Sequence, residues 1–438
     1  MAKHYFLNSP NSYLYFSCTM MKPEQELLPG LFRTEYSNLV GVLCYKFGIE
    51  NIAIAEDIVS DTFLTAMETW SLKETPDNPK AWLYTVAKNK TQNYLKRHSL
   101  FNNKIAAELK YNSAGTHEIE IDLSPKNIND SQLAMMFTVC DPCIPADAQT
   151  ALALHLLCGF GVQEIADAYL ASREVVYKRI SRAKEKLREH NIRIQQPGLT
   201  AISERLEQVL TTLYLLFSEG YYSKSHDLIV RKGLCNEAMR LTLLLTENEV
   251  TNKPVVSALY ALMCFHASRL DARMNGTGEA VLYEDQDESL WDQSLVEKGI
   301  EYLNLASRGS SVSRYHLEAG IAYWHTHKED APAKWEEILQ LYNQLLQIEY
   351  SPIAALNRTF ALAKARGKAA GIKEAEKLQL NSNPFYFSLL GNLYTGIDNV
   401  TALTHYTTAL GIANTAADKQ TIRRHMEKII QEIKISGK

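Results

Sequence analysis

The 438-residue sequence lacks the features of a membrane or secreted protein. No apolar run reaches the roughly 18–20 residues that a transmembrane helix needs. The first twenty residues contain one lysine and no apolar block of signal-peptide length, so they predict no secretion signal. The seven cysteines are scattered, odd in number and without the spacing of a disulfide framework. We therefore expect a reduced, cytoplasmic protein with no membrane partner.

The sequence also lacks the short motifs of common enzymes. It has no phosphate-binding G-x-x-x-x-G-K-[ST] loop, no H-E-x-x-H, no G-x-S-x-G and no glycine-rich dinucleotide turn. Soft metal ligands are suitably spaced only in Cys140-x2-Cys143 and His155-x2-Cys158, which could close a tetrahedral zinc site. Leucines surround the second pair, so core packing is the simpler interpretation. We expect no enzyme activity, no catalytic residue, no metal and no cofactor.

Glycine (20 residues) and proline (13) are scarce, whereas apolar residues recur three and four positions apart over long stretches. The best candidate for a strand, Ile119–Leu123, is too short to found a sheet. The 46 lysines and arginines do not exceed the 50 aspartates and glutamates, so any nucleic-acid surface must be local. The pattern predicts an all-α protein.

Two breaks in the helical pattern divide the chain. Asparagine, serine, glycine and proline accumulate before residue 130, and Pro197-Gly198 follows a basic helix. We therefore predict five parts: an N-terminal extension (1–29), a first helical block (30–97), a linker (98–129), a second helical block (130–195) and a long helical C-terminal region (196–438).

The segment Gly161–Arg188 has the pattern of a helix-turn-helix, with Ser172 as a candidate N-cap of the second helix. Apolar residues of that helix recur at spacings of four, three and four, which turns them inward: Val176, Ile180, Ala183 and Leu187. The outward side chains suit phosphate and base-edge contacts in a DNA major groove: Arg173, Lys178, Ser181, Arg182 and Glu185. The alternative is a solvated face on an ordinary helix pair.

The block 32–97 contains two helices of unlike charge. The first, Ala55–Trp70, has an acidic side that suits a basic partner helix, formed by Asp57, Asp61 and Glu68. The second begins at Asn78-Pro79, because proline suits the first turn of a helix. Its run Lys80–Arg97 has five basic residues, no acidic residue and three aromatic rings. Such a composition suits single-stranded DNA, because bases stack on rings while cations hold phosphates. The alternative is that the rings are core residues.

These two helices and the helix-turn-helix ending in ISRAKEKLRE together resemble bacterial sigma factors of the extracytoplasmic-function (ECF) type. The resemblance implies that 30–97 is sigma region 2, which binds core RNA polymerase and melts the minus-10 element. It implies that 130–195 is region 4, which binds the minus-35 element. The expected partners are core RNA polymerase, at its β′ coiled coil and β flap, and promoter DNA as duplex and as melted strand.

The resemblance assigns residues to each contact. For the β′ coiled coil they are Asp57, Asp61, Phe63 and Glu68. For the minus-10 element they are Asn78, Lys80, Trp82, Lys88, Lys90, Asn93, Lys96 and Arg97. For the minus-35 element they are Ser172, Arg173, Lys178, Arg179, Ser181 and Arg182.

The C-terminal region resembles the large extension of one ECF subgroup, a tetratricopeptide (TPR)-like helical domain. The matching segments are Leu213–Ser225, Leu282–Gly299, Tyr315–His327 and Ser351–Gly367. A regulatory protein or peptide could bind there. The chain departs from that subgroup at Thr138–Pro142, where it has Thr-Val-Cys-Asp-Pro in place of Thr-Cys-Cys-His-Pro, so no role of the missing residues carries over. The acidic run Glu284–Glu288 is either a site for a cation or basic peptide, or a helix N-terminus.

The sequence therefore predicts an alternative sigma factor that directs core RNA polymerase to specific promoters. Two alternatives remain open at this stage. One is a helix-turn-helix regulator that binds duplex DNA by itself, and the other is a TPR-like scaffold that binds peptides through 198–438.

Overall fold

The computed structural model describes residues 23–73, 75–106, 121–169, 171–221, 228–273 and 281–436. The described residues form helices and no strand, which confirms the all-α prediction. Of the strand candidate, Ile121–Leu123 is irregular chain, and its first two positions lie outside the described residues, as does most of 1–29. No helix of the described chain is long and apolar enough to cross a membrane.

The chain forms two compact units. The first comprises the described residues up to Thr138 together with Leu152–Gly161 and Lys184–Gln196. The second comprises Val139–Ala151, Val162–Ala183 and the described residues from Pro197 onward.

Three helices begin the first unit and pack on one another: α1 (Pro23–Phe47), α2 (Ile52–Leu72) and α3 (Pro79–Ala106). Apolar residues three and four apart supply the core, among them Leu39, Leu43, Val59, Ala66, Leu83 and Ala87, all at most 1% exposed. Gly48 ends α1 with φ 88°, a conformation that favours glycine, and its N–H donates to the Cys44 carbonyl at 2.8 Å.

Helix α3 begins where the sequence predicts. The Asn78 side chain accepts the Ala81 N–H at 3.0 Å, and Pro79 occupies the first helical position. The helix continues to Ala106, nine residues into the segment predicted as linker. Four shorter helices follow: α4 (Pro125–Val139), α5 (Ala146–Leu157), α6 (Val162–Ala168) and α7 (Arg173–Glu189).

The remaining helices belong to the second unit: α8 (Leu199–Tyr221), α9 (Leu228–Glu247), α10 (Pro254–Ala267), α11 (Gln293–Ala306), α12 (Arg314–Trp324), α13 (Pro332–Ile348), α14 (Pro352–Arg366), α15 (Lys368–Leu378), α16 (Pro384–Tyr394), α17 (Asn399–Ile412) and α18 (Ala416–Ser436). Helix α10 is the centre of this unit, since every residue from Val256 to Phe265 is buried. From α12 to α18 each helix packs on the next, and the small residues Gly371 and Gly391 allow close approach.

Gln149 of α5 is a buried junction in the second unit. Its side-chain NH₂ donates to the carbonyls of Asp141 (3.0 Å) and Ile144 (2.9 Å). Its Oε1 accepts from Gln208 (2.8 Å) and Thr212 (3.2 Å) of α8. An ion pair of 3.0 Å between Arg205 and Asp141 lies alongside. Residues 139–151 therefore share a core with the C-terminal region.

The acidic run Glu284–Glu288 lies in two short 3₁₀ turns before α11. Asp292 caps that helix by accepting the Leu295 N–H at 3.1 Å, and Asp287 accepts the Ser289 N–H at 2.9 Å. Among the residues that the structure describes, no group of three or more His, Cys, Asp or Glu side chains is placed to hold a metal ion.

Candidate functional site

Helix α2 presents an exposed stripe along its solvent side. Asp57, Asp61 and Glu68 lie on it, as the sequence predicts, because they recur four and seven positions apart. The stripe also carries two apolar side chains that the sequence analysis missed, Leu64 (51% exposed) and Met67 (58% exposed). Exposed apolar residues between carboxylates are typical of a binding face.

Phe63 corrects one of the predicted partner contacts. It is 3% exposed and packs between Phe32 (ring centroids 4.8 Å apart) and Tyr36 (6.4 Å). A ring enclosed in this way cannot contact a partner directly. Phe63 faces the core because it lies two residues from the exposed Asp61, on the opposite side of α2.

Two of the predicted minus-10 lysines are held by carboxylates. Lys90 donates to Asp61 of the α2 stripe. Lys80 Nζ lies 3.0 Å from Glu35 Oε1, and the Tyr84 hydroxyl also donates to Glu35. Burial and the Glu35 carboxylate both raise the pKa of Tyr84. These pairs hold side chains of α3 against α1 and α2. A DNA phosphate must therefore compete with Glu35 for Lys80 and with Asp61 for Lys90.

The outer ridge of α3 carries three more of the minus-10 candidates. Asn93, Lys96 and Arg97 are exposed there. Asn89 and Thr85 share the same ridge, one and two turns before Asn93 respectively. The sequence analysis missed both because it weighed cations and rings rather than short polar side chains. The resulting face combines amides, a hydroxyl and cations, which can donate to bases and hold phosphates.

Two further candidates on α3 are partly covered. Trp82 is half-buried against Trp70, with ring centroids 5.3 Å apart at 62°. Lys88 lines an open groove of about 550 Å³ together with Thr85 and the chain segment Ile121–Leu123. Trp82 therefore offers only part of its ring for stacking.

Helices α6 and α7 are joined by a short turn. The predicted inward residues of α7 are at most 4% exposed: Val176, Ile180, Ala183 and Leu187. The Ser172 hydroxyl accepts the Val175 N–H at 3.4 Å, so Ser172 is a weak N-cap. The exposed candidates are Ser172, Arg173, Lys178, Ser181 and Arg182. Arg179 lies at the flank of this face, where its Nε is 3.2 Å from Asp147 Oδ2.

The first turns of α7 also expose two side chains that the charge pattern did not single out. Val175 is 49% exposed and Tyr177 is 62% exposed. Apolar groups in a major groove can contact the methyl group of thymine. Their position beside Arg173 and Lys178 places them on the face predicted to contact DNA.

Glu56 forms a partly buried ionic cluster that the sequence analysis missed entirely. Its Oε1 and Oε2 accept from Lys184 Nζ at 2.6 and 2.8 Å, and its Oε1 lies 3.0 Å from His155 Nε2. The three side chains are only 15–19% exposed. Burial would raise the pKa of Glu56, but hydrogen bonds and charge from His155 and Lys184 hold it below its ordinary value. Lys184 is 128 residues from Glu56, so no local pattern could reveal the pair.

Three comparisons with known proteins bear on this arrangement. The sigma-70 region 2 family matches residues 32–101, which contain α2 and most of α3. The uncharacterized protein R00370 of Rhizobium meliloti is 31% identical over 388 residues, which cover 87% of this chain and 91% of that protein. The chain belongs to the family of that Rhizobium protein and has a sigma-70 region 2 domain.

The region 2 domain is followed by a second family match. A family of unknown function, DUF6596, matches residues 205–307. The ECF RNA polymerase sigma-E factor of Haemophilus influenzae is 28% identical over 158 residues, which cover 35% of this chain and 82% of that protein. No solved structure matches the chain. The region 2 domain thus supports a role in transcription initiation, with core RNA polymerase and promoter DNA as partners, and the C-terminal part has no assigned function.

Proposed function

We propose that the protein is an alternative sigma factor of the ECF type, which binds core RNA polymerase and directs it to specific promoters. The α2 stripe of Asp57, Asp61, Leu64, Met67 and Glu68 contacts the β′ coiled coil. The stripe suits that role because its carboxylates can pair with a basic helix while Leu64 and Met67 lose apolar surface to water.

Promoter contacts are divided between two helices. The α3 ridge of Thr85, Asn89, Asn93, Lys96 and Arg97 holds the melted minus-10 strand, and Asn78, Lys80, Trp82, Lys88 and Lys90 border it. The α6–α7 pair acts as the helix-turn-helix of region 4. Arg173, Lys178, Ser181 and Arg182 contact the minus-35 duplex, with Ser172 at the helix N-terminus and Arg179 at the flank. Each neutralised phosphate releases counterions, so promoter binding should weaken steeply with salt.

One observation carries the proposal: the residues matched by the sigma-70 region 2 family include both exposed faces, acidic with apolar residues on α2 and polar with cations on α3. A stand-alone regulator of duplex DNA would use neither face. A peptide-binding scaffold would likewise need no DNA-binding ridge in its first hundred residues.

The test is transcription from genomic DNA by core RNA polymerase with and without the purified protein. We expect new transcripts that begin at defined promoters and that disappear in an Asp57→Ala/Asp61→Ala variant. A matched control is Glu336→Gln, which breaks an exposed ion pair with Arg366 in the C-terminal region. If the protein yields no promoter-specific transcript, the proposal is wrong.

We further propose that the C-terminal region is a TPR-like regulatory domain that binds a protein or peptide. Its support is a cavity of about 370 Å³ between α12, α13 and α14, with Arg314, Glu318 and Asn357 among its lining residues. The guanidinium of Arg314 is stacked on Tyr214 (4.8 Å) and donates a hydrogen bond to Glu349 Oε2 at 2.9 Å. Such a mixture of charge, amide and ring can bind both the backbone and a side chain of a peptide.

A further inference from the structure

The cavity between α12, α13 and α14 has an excess of negative charge. Its charged lining residues in the described chain are Arg314, Glu318 and Glu349. Arg314 donates to Glu349 at 2.9 Å, so these two charges largely cancel. Burial and nearby cations lower the pKa of the lining histidines, His266 and His325, which are therefore neutral near pH 7. The remaining charge of the lining is the carboxylate of Glu318.

The environment of Glu318 leaves that carboxylate in need of a cation. No lysine or arginine of the described residues pairs directly with it, since the guanidinium of Arg314 is engaged by Glu349. The Tyr214 hydroxyl donates a hydrogen bond to Glu318, but burial still raises the pKa of Glu318, because its charged form is partly removed from water. A cation that enters the cavity would restore a favourable partner for this charge.

An anionic ligand would fit the same lining poorly. Arg314 is the one lysine or arginine among the described lining residues. Its guanidinium already contacts the rings of Tyr214 (4.8 Å) and Tyr315 (4.9 Å) while it donates to Glu349. An anion would have to displace Glu349 and would face Glu318 at the same time. The arrangement of charge therefore favours a cation.

The rest of the lining suits an arginine side chain. Ile321, Leu345 and Ile353 supply apolar surface on which an alkyl stem can pack. The ring of Tyr342 can lie against a guanidinium, and the side-chain oxygen of the exposed Asn357 can accept one of its N–H groups. A guanidinium uses such a set better than an ammonium does, because it is planar, weakly hydrated and has five donors in a fixed fork.

We infer that this cavity binds an arginine side chain of the regulatory protein or peptide, and that Glu318 selects its positive charge. The guanidinium pairs with Glu318 and donates to Asn357, while its stem packs on the apolar side of the cavity. This assignment rests on the proposed function of the C-terminal region, the binding of a protein or peptide, and adds the chemistry of the bound residue.

The test uses the full chain and an array of short random peptides, blocked at both ends, whose central residue is arginine, lysine or glutamate. The strongest arginine binder is made again with citrulline, which keeps the shape of arginine without its charge. Fluorescence anisotropy measures the affinities. Glu318→Gln removes the charge but keeps an acceptor for Tyr214. Glu336→Gln is the matched control, because it removes a glutamate that pairs with Arg366 and does not line the cavity.

A second substitution tests the assignment in the opposite direction. Asn357→Asp adds a carboxylate of nearly the same size to the cavity lining. It should tighten binding of the arginine peptide by about threefold or more, because a second carboxylate then faces the guanidinium. A variant that merely damaged the fold could not bind more tightly.

We expect arginine peptides to bind best, and both citrulline and Glu318→Gln to weaken binding by roughly tenfold or more. The citrulline peptide should bind Glu318→Gln and the wild type alike, and Glu336→Gln should match the wild type throughout. Preference for lysine or glutamate peptides, or unchanged binding of the arginine peptide by Glu318→Gln, would overturn the arginine site but not the peptide-binding domain. Absence of binding across the whole array would overturn both.

Discussion

Phe63 and Leu64 are adjacent in sequence and have opposite environments. Phe63 is 3% exposed among aromatic rings, whereas Leu64 is 51% exposed on the α2 stripe. The same periodicity that orients Asp57 and Asp61 outward turns Phe63 inward. If the α2 stripe binds polymerase as proposed, stability and partner binding depend on adjacent residues of one helix, and single substitutions can separate them.

Phe63→Ala should lower the free energy of unfolding by about 3–5 kcal/mol, because it opens a cavity in the core. Leu64→Ala should change stability by less than about 0.5 kcal/mol and weaken polymerase binding by about 1–3 kcal/mol. Chemical denaturation measures the first effect, and titration of core polymerase measures the second. The assignment of the stripe would be wrong if Leu64→Ala bound polymerase as tightly as the wild type.

At the scale of residues, the sequence predicted which charged side chains face outward. It did not reveal which distant side chains contact one another. It located the outward Asp57, Asp61 and Glu68 because helical periodicity alone determines their side of α2. It misplaced Phe63 because the family resemblance assigned it a role that the same periodicity contradicts. It could not find Glu56 or Lys184, since their pairing depends on tertiary packing of segments 128 residues apart.

Two candidate DNA-contacting arginines of α7 lie in different environments. Arg182 lies on the exposed side, whereas Arg179 lies at the flank beside Asp147. Both are arginines of one helix, three residues apart, so they form a matched pair for substitution. The comparison distinguishes a DNA contact from a structural ion pair.

Arg182→Ala should weaken promoter binding by the polymerase complex by about 1–3 kcal/mol if the guanidinium contacts a base edge. Arg179→Ala should cost less, because its partner Asp147 is 61% exposed and an exposed pair contributes only about 0–1 kcal/mol. Competition binding with promoter duplex measures both. Equal losses would place Arg179 on the DNA as well and contradict the distinction between the two positions.

At the scale of elements, each inward residue of α7 was predictable, because a strongly amphipathic helix has only one face that can turn toward the core. The start of α3 was likewise visible as Asn78-Pro79. Its continuation to Ala106 was not, because the asparagines after Arg97 resemble a loop while the helix is already nucleated. The sequence did not identify Val175 and Tyr177 as exposed, because apolar residues are ordinarily assigned to the core.

The second unit holds partly buried histidines whose lowered pKa should make the molecule sensitive to acid. His325 packs edge-on against Tyr283 (5.2 Å) and Trp335 (5.8 Å). Burial and the nearby Arg269 and Lys334 lower its pKa to about 3. The unfolded chain protonates this imidazole near pH 6.5, whereas the folded chain does so only near pH 3.

The free energy of unfolding should therefore fall as the pH drops below about 6.5, by about 1.4 kcal/mol per pH unit for His325 alone. His325→Phe keeps an aromatic ring in place and should remove this share of the slope. Urea unfolding of both proteins between pH 7.5 and 5.5 measures the difference. Parallel curves for the two proteins would contradict a neutral His325 with a lowered pKa.

At the scale of the whole chain, the all-α class was predictable. Glycine and proline are scarce and apolar residues recur with a helical period throughout, which favours helices over any other fold class. In contrast, the sequence could not predict that residues 139–151 share a core with α8. This shared core depends on a hydrogen bond that Gln208 donates to Gln149 and on the ion pair of Arg205 with Asp141, and both partners lie beyond the Pro197-Gly198 break, where local composition indicates a boundary.

That shared core also sets an order of events during synthesis. Gln149 leaves the ribosome 63 residues before Thr212, one of the side chains that satisfy its Oε1. At about 5–20 residues per second, the wait is about 3–13 s. During that interval the buried amide has no Thr212 to bond, so the helices around it cannot finish packing. The segment proposed as region 4 (130–195) is therefore completed only after part of the C-terminal region exists, and a chain that stalls before α8 would carry that segment unfinished.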